Sequence, residues 1–210
     1  MKVSARKAAE HRAALIATAR RLLQEQGFEG AGVEEISRAA GLTQGALYAQ
    51  FGSKHALARE AACEAFAEGL ARWRGFREAT DDPVSAYVDE YLDETHMKDA
   101  GSGCLMAACL SDMPRQDESI GVALAKGFRE LIEVLEGALP EGVSKQEAHR
   151  RALTLIPAMV GSVAMARAVG KSDPDLAREI LAAARSELKR LALGGEKVPS
   201  AEAVGTHPAG

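Results

Sequence analysis

The chain has 210 residues, 47% hydrophobic and 27% charged, a balance that supplies a filled core and excludes a disordered chain. Aromatics make up only 4%, and Ala and Leu dominate, which favours helices over sheets. The net charge of −4 speaks against nucleic acid when taken whole, but residues 1–60 hold nine Lys/Arg against six Asp/Glu, and the rest hold 17 against 24. A basic N-terminal part is thus joined to an acidic body.

Residues 1–7 (MKVSARK) read as a loose basic arm, from which Arg6 and Lys7 could follow a polyanion. From there to Gln26, Leu15, Ala19, Leu22 and Leu23 form one helical stripe, and Gly27 ends the helix as a left-handed cap. Val33, Ile36 and Ala40 mark a second, short helix with Glu34 and Glu35 near its positive end, stopped by Gly41. Thr43 caps a third, with Leu47 and Phe51 on its inner face; Ser53 caps a long fourth running to about Arg77. Asp82-Pro83 opens a helix through about Glu94. Gly101-Ser102-Gly103 breaks the chain before a helix that begins near Cys104 and is disturbed by Pro114. Ile120, Leu124, Phe128, Leu131, Leu135 and Leu139 then keep helical spacing until Pro140-Glu141-Gly142. Ser144 and Glu147 form a capping box for a helix that Pro157 should kink, and Asp173-Pro174 opens the last, striped by Leu176, Ile180, Ala184, Leu188 and Leu191. From Gly194 the tail has no periodicity and reads as disordered. No strand is predicted. No stretch resembles a membrane span or a signal core, and three cysteines (Cys63, Cys104, Cys109) read as free thiols, so a cytoplasmic protein is expected.

The second and third helices, joined by a tight Gly-containing turn, have helix-turn-helix spacing. In that motif the later helix enters the major groove of DNA. Leu47 and Phe51 must then seat it, while Tyr48 points outward. The run "GFEGAGVEEISRAAGLTQGALYAQFGSKHALAREA" resembles the DNA-binding domain of the TetR family of transcriptional regulators. Gly27-Phe28, Val33, Ile36, Ala39-Ala40-Gly41-Leu42, Gly45, Leu47-Tyr48, Phe51, Ser53-Lys54 and Leu57 carry the likeness. It implies an all-α protein: a three-helix DNA-binding domain over residues 1–55, a larger helical effector-binding and dimerisation domain over 56–193, and a tail over 194–210.

Carried over by position, the resemblance implies phosphate contacts from Thr43, Tyr48 and Lys54, with Gln44 and Gly45 at the base edges. Thr43 can cap while its hydroxyl faces the duplex, Gly45 lets the main chain approach closely, and Lys54 opens a helix whose free N–H groups attract phosphate. Gln44 can pair with adenine. Three positions depart from the family pattern: Gly32 replaces a capping Thr, Gln50 replaces a His and alters that phosphate contact, and His55 stands where an acid is usual.

The resemblance also implies a homodimer in which the last two long helices pack against their copies. The small-residue run from Ala158 to Gly170 permits close helix approach, between chains or within one. An effector pocket is expected among the helices from Pro83 to Leu139, with Tyr87, Tyr91, Met97, Cys104, Met106, Met113 and Phe128 as candidate lining residues, since Met and aromatic side chains suit adaptable apolar sites. Cys104, near a helix start, also suggests redox or electrophile sensing, although Cys109 lies on another side of a helix and cannot pair with it directly. The cluster of Asp89, Glu90, Asp93, Glu94 and His96 reads as a solvated acidic face rather than a metal site, and no nucleophile–base pair or phosphate loop suggests an enzyme. The expected function is a ligand-released dimeric repressor on a palindromic operator, without a cofactor. The alternative is a helical ligand or redox sensor with weak or lost DNA binding.

Overall fold

Residues 4–194, the part that a computed structural model describes, form ten α-helices, eight of them opened by a hydroxyl or carboxylate cap. They are α1 (Ala5–Gly30), α2 (Val33–Ala39), α3 (Gln44–Phe51), α4 (Lys54–Ala79), α5 (Pro83–Tyr91), α6 (Glu94–Lys98), α7 (Leu105–Cys109), α8 (Glu118–Glu136), α9 (Lys145–Val169) and α10 (Pro174–Leu193), with a 3₁₀ turn over Met113–Arg115. No strand occurs among the described residues. Thr43, Ser53, Asp82, Ser144 and Asp173 each accept a backbone N–H at the start of α3, α4, α5, α9 and α10, as their positions in the sequence predict.

Several boundaries differ from expectation. The arm is helical from Ala5, because Ser4 accepts the N–H of Lys7 and an Ala-rich run follows, so Arg6 and Lys7 lie in the first turn of α1. Gly27 does interrupt α1, with φ at +77°, but the chain winds on to Gly30 so that Phe28 can be buried. The expected helix over 83–94 divides, since the Asp93 carboxylate accepts the N–H of Thr95 at 2.7 Å and starts α6. Helix α9 runs as one helix through Pro157, the residue expected to kink it. It is also long and apolar enough to cross a membrane by length and composition, contrary to the expectation that no stretch is. Here it packs against α8 and α10, with Ala152, Leu155, Ile156, Met159, Val163 and Ala166 buried between them. Apart from Gly194, a left-handed cap on α10, the tail expected to be disordered lies outside the described residues.

Two hydrophobic cores share α4. The first gathers Leu15, Leu22, Leu23, Phe28, Ile36, Leu47 and Leu57 with Ala61 and Ala62. The second gathers Leu70 and Trp73 from the far end of α4 with α5, α8, α9 and α10. Leu105, Cys109, Met113 and Ile120 enter the first core from α7, the 3₁₀ turn and α8, so the later part of the chain is wedged directly against α1. The Cys109 thiol donates to Leu23 O at 3.0 Å, and the Gln24 amide nitrogen donates to Gly103 O.

Candidate DNA-reading face and effector cavity

The turn between α2 and α3 is made by backbone chemistry. Gly41 takes φ +68°, and the N–H groups of Gly41 and Leu42 donate to Arg38 O and Ser37 O at 3.0 and 2.8 Å, closing α2 in a Schellman-like stop. Leu47, fully buried, then fixes α3 against the first core. Phe51 is half-buried beneath the Arg12 guanidinium, which lies 4.5 Å from the ring centre. Tyr48 faces outward and is 49% exposed. The two aromatics of this short helix thus divide as their positions require: one seats α3 and the other stays available.

Thr43, Gln44, Gly45 and His55 share the exposure of Tyr48, while Lys54 is half-buried at the first position of α4. Neither α3 nor α4 carries an acid in its first turn, whereas α2 carries Glu34 and Glu35 there. The positive ends of α3 and α4 are therefore left unneutralised, a suitable field for phosphate. The α2 start has no side-chain cap at Gly32, as the missing Thr predicts.

Gln50 also has an intramolecular role. Its side-chain amide nitrogen donates to Ala8 O at 3.1 Å, which ties α3 to α1, and its main-chain carbonyl separately accepts from the Arg12 guanidinium at 3.3 Å. Arg12 is held in turn by Glu60 of α4. Gln50 and Arg12 thus link α3 to α1 and α4.

A cavity of about 290 Å³ opens between α4, α5, α8 and α9, beside α1 and the loop leading into α7. Of the residues expected there, Tyr87, Tyr91, Cys104, Met106 and Phe128 line it. Met97 and Met113 do not. Met97 packs half-buried on the second core, and Met113 is buried in the first, because the 3₁₀ turn around Pro114 directs it toward α1. The aromatic wall is continuous: Trp73 and Tyr87 stack with ring centres 3.5 Å apart, and Tyr87 and Tyr91 at 5.7 Å. Burial pushes both tyrosine hydroxyls well above their ordinary pKa, so both stay protonated.

The charged groups at this cavity are paired, Arg20 with Glu68 and Arg72 with Glu90. His96, which the sequence placed in a solvated acidic cluster, is instead a structural hinge pin. Its Nδ1–H donates to Tyr91 O at 2.6 Å, and its Nε2 accepts the N–H of Cys104 at 3.1 Å. Burial lowers its pKa, and both contacts suit the neutral ring. Arg167 of α9 secures the same segment by donating to His96 O and Met97 O at 2.7 and 3.0 Å. No cluster of three metal-ligating side chains occurs among the described residues. Arg20, Gln24, Trp73, His96 and Met159 also line the cavity and escaped sequence reasoning. Trp73 and Met159 follow the helical stripes, but nothing local marks Arg20 and Gln24, which come from the other half of the chain.

Comparison with known proteins agrees with this geometry. Residues 15–61 match the family described as bacterial regulatory proteins, tetR family, and residues 82–177 match the C-terminal domain of LmrA/YxaF-like transcriptional regulators. The HTH-type transcriptional repressor NemR of Escherichia coli K12 is 29% identical over 139 residues, covering 61% of this chain and 66% of that protein. The HTH-type transcriptional regulator LmrA of Bacillus subtilis is 25% identical over 170 residues, covering 79% of this chain and 90% of that one. In fold, the crystal structure of reduced E. coli NemR superposes with a TM-score of 0.72 at 24% identity, over 86% of this chain and 95% of that one. A regulator from Legionella pneumophila does so with a TM-score of 0.73 at 20% identity, over 90% and 98%.

Proposed function

The chain belongs to the TetR family of transcriptional regulators, a family of regulators rather than enzymes, and on that footing we propose that it is a repressor that binds a palindromic operator as a homodimer and lets go when a small molecule fills the cavity. The observation that carries this reading is the course of α4. Its start, Lys54 to Ala62, packs against the reader through Leu57, Ala58 and Ala61, and its later turns, from Ala65 to Trp73, wall the cavity. A ligand that moves one end of a single stiff helix moves the other. Occupancy of the cavity would shift α4 and take the two α3 helices out of register with their half-sites, roughly 34–36 Å apart.

In this reading residues 1–55 form the DNA-binding domain and 56–193 the effector and dimerisation domain, in the cytoplasm. Thr43, Tyr48, Lys54 and His55 face phosphates, and Gln44 and Gly45 face base edges. Dimerisation through α9 and α10 is supported by an apolar stripe left uncovered in one protomer. Leu153, Pro157, Gly161 and Met165, four residues apart on α9, are all exposed, as are Leu176 and Leu193 of α10.

Operator selection from a random duplex pool, followed by affinity against salt, tests the reading. A palindromic winner, a steep negative salt slope and a dimer by sedimentation are the expected result. Absence of enrichment would overturn it and favour a sensor that does not read DNA. Cys104 gives such sensing a specific handle, because it lines the cavity, whereas Cys109 is buried on Leu23 O. A Cys104 thiol that still titrates as free after mild oxidant would exclude it.

A further inference from the structure

Gln24 belongs to α1, in the half of the chain that carries the reader, yet its side chain reaches the cavity wall. It is one of the most enclosed polar residues, 5% exposed. The amide nitrogen is used on Gly103 O, but the amide oxygen finds no donor among the described residues. The Tyr91 hydroxyl, beside Cys104 in the same wall, likewise lacks a hydrogen-bond partner of good geometry. Since Gly103 and Cys104 are neighbours, the two unsatisfied groups converge on one loop. A buried acceptor without a donor carries a desolvation cost that any ligand supplying the donor recovers.

The remaining chemistry narrows that ligand. The cations of the cavity are each matched by a carboxylate, leaving no spare charge to hold an ionic group. The stacked Trp73 and Tyr87 rings, with Phe66 and Phe128, offer flat apolar surface.

We propose that Gln24 is the polar anchor of the effector site: its amide oxygen accepts a hydrogen bond from a neutral, ring-bearing effector that carries an N–H or O–H donor. The proposal rests on the reading of this cavity as the effector site and adds the ligand class and the residue that selects it. It also makes α1 a wall of the site. The same helix holds α3 through the contacts of Ala8 and Arg12 with Gln50, so occupancy is felt by the reader through α1 as well as α4.

The test uses two isomers, 3-methylindole and 1-methylindole, which have the same atoms but only the first of which keeps a ring N–H. Titration calorimetry on the full-length protein should show 3-methylindole binding about tenfold more tightly, the worth of one desolvated hydrogen bond. Gln24→Met, which keeps the side-chain length, should reduce the preference to about twofold or less. Equal affinities in the wild-type protein, or a preference that survives in Gln24→Met, would overturn the role of Gln24 while leaving the cavity a ligand site. Heat from neither isomer would overturn the ligand class. The operator selection needs no ligand, so its failure is told apart from both.

Discussion

Gly45→Ala separates a residue kept for the fold from one kept for DNA. Gly45 is the second residue of α3, exposed, and a Cβ built there meets only Thr43 Oγ1 at 3.8 Å, an ordinary contact. Ala is the better helix former by roughly 0.5–1 kcal/mol in a helix interior. At the second position of a short helix about half of that survives, which in a chain of this size raises Tm by about 0.5–2 °C. The operator should see the opposite. If the main chain at Gly45 lies against a base edge, the added methyl costs about 1 kcal/mol per half-site, the scale of one spoiled base contact. For a dimer that is about 2 kcal/mol, roughly thirtyfold in Kd. Thermal melting and fluorescence anisotropy on the selected operator measure the two arms. A variant that melts higher and binds DNA as well as the parent would refute the placement of Gly45 at the bases. A variant that melts several degrees lower would refute the open space around it.

Three further outcomes are expected. Lys54→Ala should weaken operator binding across all sequences and reduce the steepness of the salt dependence by about one per protomer, and an unchanged slope would remove Lys54 from the phosphate contacts. His96 is held neutral, with a pKa below its unfolded value, so the unfolded chain binds more protons and stability falls as pH drops from about 6.5 through the lower folded value. His96→Gln should flatten that part of a Tm–pH curve, whereas Glu147, lowered to about 2 by Arg150 and Arg151, acts only at more acid pH. With a thiol reagent, exposed Cys63 should react fastest and half-buried Cys104 more slowly. Cys109, its pKa pushed up to about 12 by burial, should stay unreactive until unfolding; reaction at the rate of Cys63 would contradict its packing against Leu23.

What the sequence by itself determined is local. Thr43, Ser53, Asp82, Ser144 and Asp173 cap helices because a short polar side chain satisfies an N–H within three residues of itself, and Gly41 turns the chain because only glycine adopts φ +68° without strain. The outward Tyr48 and inward Leu47 follow from helical spacing and one decision about which face is apolar. The tertiary structure decided everything that depends on partners far along the chain. It turned Gln50 toward Ala8 and placed Met113 in the first core. It also made His96 a link between Tyr91 and Cys104, and brought Gln24 to a cavity built mostly from residues after Ala65. A hydrogen bond across 42 residues, or across the 79 between Gln24 and Gly103, leaves no periodic trace, because its energy depends on where the cores bring two helices together and not on either helix alone.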